Sequence, residues 1–298
     1  MAGSSEGRLW ATSDLHVAYS ENRRIVEEQL VPRADGDWLL VAGDVSETVE
    51  DIEWALGLLA DRFERVVWAP GNHDLWTARN DPVQLRGQAR YEHLVGICRR
   101  LGVLTPEDDY VTWTGPGGPV ALVPMLLLYD YSFRPEGVSA EEALEAAYAA
   151  NVVATDEFLL HPDPWPDRPA WCHARLELTE ARLAGLPAGT RTVLVNHFPL
   201  TRLPTLVLRH PEFAVWCGTE RTADWHRRFH AAAVVYGHLH IPRTTWEDGV
   251  RFEEVSIGYP REWRQHNLRR GVLRDVLPTP APEVEPDSSV WPASRVRR

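Results

Sequence analysis

Residues 38–74 read WLLVAGDVSETVEDIEWALGLLADRFERVVWAPGNHD, and their hydrophobic pattern changes twice. Residues 38–42 (WLLVA) form a continuous apolar run bounded by Asp37 and Gly43, the mark of a strand buried on both faces. Thr48 then stands where an N-cap belongs, and Ile52, Ala55, Leu56 and Leu59 recur at helical spacing. Residues 66–69 return to a short apolar strand that stops at Pro70-Gly71. Working outward, residues 8–12 form another short apolar run, and Ser20 can cap a helix over 21–31 that Pro32 ends. Downstream, Asp81-Pro82 opens a helix to about Leu101. Strand and helix alternate, which predicts parallel β-α-β units in an α/β fold, with function on the loops at the C-terminal ends of the strands.

Beyond this half the pattern loosens. Residues 106–170 are rich in turns, with GPGGP at 115–119 and HPDPWPDRP at 161–169. A helix over 171–186, a strand over 192–195, a helix over 222–229 and a strand over 232–236 follow. Asp248-Gly249 lies between β-type segments, a hairpin signal. From Pro278 onward there are five prolines in 21 residues and hardly any apolar periodicity. The reading is one domain over 1–277, with 106–170 as a partial cover over its site, and a disordered Pro-rich tail over 278–298.

Composition excludes several chemistries. Among the 298 residues the 31 cations are all arginine, so a Schiff-base lysine, a P-loop lysine and a kinase-type lysine are ruled out. With 43 acidic residues the formal net charge is −12, which argues against nucleic acid as the main partner. The longest apolar stretch, residues 120–129, contains Pro124 and falls far short of the roughly 20 residues of a membrane span. No basic n-region precedes an apolar run at the start. Cys98, Cys172 and Cys217 are odd in number and far apart, as reduced thiols are. A soluble, cytoplasmic protein without membrane contact is expected.

Five short motifs follow the strands: Asp14-Leu15-His16, Gly43-Asp44, Gly71-Asn72-His73-Asp74, Asn196-His197 and Gly237-His238-Leu239-His240. Each alone is an ordinary turn signal, but together they supply a mixed oxygen and nitrogen set suited to Zn, Fe or Mn. The i, i+2 spacing of Asp14/His16 and His238/His240 presents both side chains to one side of an extended chain. The glycines permit tight turns close to a site. Two cations about 3.5–4 Å apart need a bridging carboxylate, and Asp44 on its own turn is the sensible supplier.

This order of motifs resembles the calcineurin-like dinuclear metallophosphoesterase superfamily. The resemblance implies a layered sandwich of two mixed β-sheets flanked by helices. It implies that Asp14, His16, Asp44 and His240 hold one divalent ion, and that Asp44, Asn72, His197 and His238 hold the second. His73 would protonate the leaving oxygen, oriented by Asp74, while metal-activated hydroxide attacks the phosphoester. GNHDLW (71–76), NVVATDEFLL (151–160), VLVNHFPL (193–200), TADWH (222–226) and the run at 237–263 also resemble a narrower group. These are actinobacterial phosphoesterases of the 4'-phosphopantetheinyl hydrolase type, which release 4'-phosphopantetheine from holo-acyl carrier protein.

Substrate contacts have weaker signals. Trp76 follows the His73-Asp74 pair by two residues, Tyr129 and Tyr131 lie in the irregular cover, and Arg243 is three residues past His240 and could grip a phosphate oxygen. An acidic carrier protein would need a basic docking patch, and Arg261, Arg264, Arg269, Arg270 and Arg274 are the best candidates. Alternatives are a cyclic-nucleotide or other small phosphodiesterase, a phosphoprotein phosphatase on the same metals, and a non-catalytic scaffold. A scaffold fits poorly because no expected ligand is missing. A closed structural metal site, normally four-coordinate, fits poorly too.

Overall fold

The computed structural model describes residues 7–264 and 271–279. In chain order its elements begin with β1 (Leu9–Thr12), α1 (Ser20–Gln29), β2 (Trp38–Val41), α2 (Val49–Arg62), β3 (Arg65–Trp68), α3 (Asn72–Leu75) and α4 (Gly87–Leu101). The middle supplies β4 (Thr112–Trp113), β5 (Val120–Pro124), α5 (Ala140–Ala149), α6 (Asp156–Leu159), α7 (Arg168–Ala184) and β6 (Thr192–Val195). The last part carries α8 (Trp225–Arg228), β7 (Ala231–Tyr236), β8 (Arg243–Glu247), β9 (Val250–Glu254), α9 (Pro260–Trp263) and β10 (Arg274–Leu277).

Two mixed sheets result, in the orders β10-β1-β2-β3 and β4-β5-β6-β7-β9-β8. The β1-β2-β3 and β5-β6-β7-β9 pairings are parallel, and the remaining strands are antiparallel. Side-chain alternation explains why strands apolar on both faces suit this architecture. Leu9, Ala11, Leu40, Val67, Leu122, Val193, Val195, Ala233 and Val235 share one core with each other. Their neighbours Trp10, Leu39, Val41, Val66, Val123, Leu194 and Val234 belong to a second core that includes the helices. The sheets therefore pack face to face, and each outer face is sealed by helices. Thr48 caps α2 as read, its side chain accepting from Asp51 N, and Asp248-Gly249, both at positive φ, joins β8 to β9.

Four helical readings need correction, the first being Ser20, which opens α1 rather than capping it, the N-cap position falling to Tyr19 and the helix ending at Gln29. The segment opened by Asp81-Pro82 is not helical, and α4 begins at Gly87. The Asp81 carboxylate is taken by Arg90 and by the backbone N–H of Val49, so residues 81–86 are held as an irregular connection. The helix read at 171–186 starts earlier, with Asp167 as its cap, accepting from Ala170 N. The helix read at 222–229 shortens to α8 after a 3-10 turn at Glu220–Thr222. The cover segment is also more ordered than its turn-rich composition suggests, since β4, β5, α5 and α6 all lie within 106–170. Most of the Pro-rich tail, from residue 280, lies outside the described residues. No helix among the described residues is long and apolar enough to cross a membrane, and the three cysteines are buried and unpaired.

Candidate metal centre

The five motifs come together where the two sheets' C-terminal loops face each other. Asp14 and His16 follow β1, Asp44 follows β2, Asn72 and His73 open α3 after β3, His197 follows β6, and His238 and His240 follow β7. Ligating atoms of Asp14, His16 and His240 lie within 4.8 Å of one another, as do those of Asp14, Asp44 and His197, and those of His16, Asp44 and His73. The convergence is not the extended-chain geometry expected from the i, i+2 spacing. Asp14, His16, Asp44, His238 and His240 all have φ between 44° and 69°, so left-handed backbone turns the side chains inward. Glycines give these turns room. A Cβ on Gly71 would stand 2.1 Å from Asp44 Oδ1, and one on Gly237 2.2 Å from Asp14 Oδ2, contacts no larger residue could keep.

Each donor is aimed by a partner on its far side. Asp14 Oδ2 accepts from the hydroxyls of Ser13 (2.6 Å) and Ser256 (2.7 Å) and from His238 N (3.1 Å), which turns Oδ1 toward His240 Nε2 at 2.9 Å. Asp44 Oδ1 accepts from His73 N at 2.8 Å, and Oδ2 lies 3.3 Å from His197 Nε2. His197 donates Nδ1–H to the Ala42 carbonyl (2.8 Å) and His240 donates Nδ1–H to Glu262 (2.6 Å), leaving both Nε2 atoms directed into the cluster. His238 is flanked by Phe198 and Phe213.

This donor set fits cations. The Nε2 of His238 and the Oδ1 of Asn72 are buried without a hydrogen-bond partner among the described residues, and His197 Nε2 faces Asp44 Oδ2. Imidazoles whose second nitrogen is held by a carbonyl or carboxylate are characteristic metal ligands. Burial disfavours charge on His197, yet Asp44 and Asp14 outweigh it and hold that imidazole up to about 9. Burial, reinforced by His197, pushes His238 down to about 3. The carboxylates of Asp14 and Asp44 stay well below the usual range, because the surrounding histidines outweigh burial. The cluster's anions thus demand positive charge, which protons or divalent ions can supply.

Around His73 the structure departs from the sequence reading. Asp74 does not face the His73 ring. Its carboxylate accepts from the backbone N–H groups of Gly71 (2.9 Å), Asp44 (3.0 Å) and Val45 (2.8 Å), and so stitches the loops after β2 and β3 together. Because it is already spent on backbone donors, Glu47 takes the ring instead, accepting from His73 Nδ1 at 2.7 Å. Tyr259 Oη lies 3.3 Å from His73 Nε2, and the indole of Trp76 stacks on the imidazole with centroids 3.6 Å apart. Burial lowers the proton affinity of His73, but Asp44 and Glu47 more than compensate and raise it.

The other expected contacts divide. Trp76 is at the centre. Tyr129 is fully buried with its hydroxyl unpartnered among the described residues, and Tyr131 Oη donates to Glu157. Arg243 donates to the Pro204 carbonyl (3.1 Å), a structural tie. Of the arginines proposed for docking, Arg264 pairs with Glu21, Arg274 with Glu253, and Arg261 is 3.7 Å from Glu262. Arg269 and Arg270 lie outside the described residues. Sequence reasoning missed Glu47, Asp156, Tyr259 and Glu262. Glu47 carried a positional signal, three residues past Asp44 on the same loop, and the other three lie in stretches quoted for the family resemblance, 151–160 and 237–263.

Two mixed sheets with helices outside, and a buried aspartate–histidine–asparagine cluster on the loops between them, define a metallophosphoesterase. The chain belongs to the calcineurin-like phosphoesterase family, which it matches over residues 7–242. It is 56% identical over 277 residues to the [acyl-carrier-protein] phosphodiesterase PptH of Mycobacterium tuberculosis, covering 93% of this chain and 85% of that protein. The crystal structure of phosphopantetheinyl hydrolase (PptH) from Mycobacterium tuberculosis superposes with a TM-score of 0.91, covering 95% of this chain and 99% of that one.

Proposed function

We propose that the chain is a phosphodiesterase that releases 4'-phosphopantetheine from holo-acyl carrier protein, using Mn, Fe or Zn. The observation that carries this is the convergence of Asp14, His16, Asp44, His197 and His240 in one buried cluster, in a chain 56% identical to a protein named for that reaction. Asp14, His16, Asp44 and His240 would hold one ion, and Asp44, Asn72, His197 and His238 the other. Two such ions, when bound, polarise the phosphoryl oxygens and activate a water as nucleophile. The chain's own residues supply the rest. Asp44 and Glu47 favour the protonated form of His73, which would deliver its Nε2 proton to the departing serine oxygen, a poor leaving group that gains most from an acid. Glu47 fixes the imidazole's tautomer and direction, and Trp76 and Tyr259 confine its plane. Asp74 acts on the backbone rather than on the ring. Tyr129 and Tyr131 contribute packing of the cover near the site. The carrier protein is proposed to dock near the candidate arginine stretch, of which Arg261 and Arg264 are exposed among the described residues.

Mass spectrometry of holo-carrier protein incubated with Mn-loaded enzyme tests the reading. A mass loss equal to phosphopantetheine supports it. An unchanged carrier protein, alongside turnover of a cyclic nucleotide, a small diester or a phosphoprotein, would transfer the site to one of those substrates.

A further inference from the structure

Asn72 poses a problem that the metal-site geometry alone does not solve. A carboxamide has one end that can bind a cation and one that cannot, and nothing in its shape tells the two apart. Asn72 is buried, its Oδ1 has no hydrogen-bond partner among the described residues, and its Nδ2 donates to Asp156 Oδ1 at 2.8 Å. Asp156 opens α6, in the cover segment, 84 residues further along the chain. The same Oδ1 accepts from the indole N–H of Trp76 at 2.7 Å, and that indole stacks on His73.

We propose that Asp156 is a positioning residue that selects the metal-facing orientation of the Asn72 carboxamide and, through the same oxygen, sets the Trp76 plane against His73. A carboxylate offers only acceptors. The flipped carboxamide would press its oxygen against that carboxylate and point two N–H donors at the cations, so one orientation is excluded by repulsion on both sides. Asp156 is itself held, because Arg168 Nη2 donates to its carbonyl at 2.7 Å and Thr77 N donates to the carbonyl of Leu159 at 3.0 Å. The cover is thereby fastened to the loop that carries Asn72, His73 and Trp76, and a correctly seated α6 becomes a condition for a complete second cation site. This inference rests on the dinuclear reading of the site but not on the identity of the phosphodiester, so failure of the carrier-protein assay leaves it standing.

The test measures metal binding directly, by equilibrium dialysis against Mn with elemental analysis, on variants shown to be folded by circular dichroism. Removing an outer partner of a metal ligand costs about 10–100-fold in affinity. D156A is expected to keep tight binding of the first Mn and to weaken the second by that factor. D156N keeps an acceptor oxygen for both donors and is expected to lose no more than about threefold. N72D in the D156A background is expected to recover the second Mn, because a carboxylate presents oxygen at either end. If D156A does not fold, D156S takes its place with the same expectations. Equal binding of both ions by D156A and the parent overturns the proposal. So does a D156N as weak as D156A, which would show that charge, not orientation, is what Asp156 supplies. Failure of N72D to restore binding overturns it as well.

Discussion

Replacing Glu47 separates positioned acid catalysis from everything the metals contribute. Glu47 Oε1 is 2.7 Å from His73 Nδ1, and both side chains are largely buried, at 19% and 10% exposure. A hydrogen bond to a charged group is worth about 1.5–3 kcal/mol, equivalent to about 10- to 150-fold in rate if it is lost in the transition state. E47A is therefore expected to lower kcat by that factor for diesters with alkyl leaving groups. Nitrophenyl diesters, whose leaving oxygen needs almost no proton, should lose less than about threefold. The assay is a plot of log kcat against leaving-group pKa for a series of diesters, with metal content matched beforehand because Glu47 also lies 3.8 Å from His16 Nδ1. E47A should steepen the dependence. The pH profile has a fixed sign. Burial lowers the proton affinity of His73 while Asp44 and Glu47 raise it above the ordinary value, and an acid works only while protonated, so activity falls as pH rises through its pKa. E47Q gives up the Glu47 contribution, and its alkaline limb must move to lower pH. Equal losses for both leaving-group classes, or an alkaline limb that moves upward, would refute the acid role.

Two further outcomes are expected. Arg90, fully buried on α4, pairs with Asp81 at 2.8 Å and donates to the carbonyls of Asp74 and Glu47; R90M should cost about 3–5 kcal/mol in urea unfolding, and a loss below about 1 kcal/mol would show the brace to be dispensable. R261E/R264E should raise KM for holo-carrier protein by several-fold and leave a small diester unchanged; parallel changes with both substrates would remove docking from these residues.

The fold was largely legible because parallel strands buried on both faces have a plain signature. The strand at Thr192–Val195 was read with its own boundaries, and those at β1, β2 and β3 within a residue. Elements held by distant partners were less legible. Asp81 looks like a helix opener, but Arg90 and Val49 commit its carboxylate to a turn. Gly87, at φ 52°, lies so close to the backbone of Asp163 that a Cβ there would clash, a contact across 76 positions that periodicity cannot show. The α5 start was a missed local signal, since Ser139 and Glu142 form a capping box. The candidate ligands stood out by residue type and by their positions on loops after strands, and the structure brings Asp14, His16, Asp44, His197 and His240 together. Their supports did not stand out. Glu262 reaches His240 across 22 positions and Asp156 reaches Asn72 across 84; both lie in stretches that carry the family resemblance, but nothing in a stretch of sequence says which distant side chain its acid will meet. Asp74 illustrates the opposite error, in which adjacency to His73 suggested a contact that the turn geometry assigns to Glu47.

The left-handed backbone at Asp14, His16, Asp44, His238 and His240 ties metal loading to the folding equilibrium itself. Asp and His adopt this conformation more readily than other side chains, yet holding five of them there still draws on the roughly 5–15 kcal/mol that separates a native domain from its unfolded chain. Cations bound by the proposed ligands would also offset part of that conformational cost, and binding free energy would add to folding free energy. A cell short of metal would hold less of this protein in the folded state, so metal supply would limit its abundance as well as its turnover.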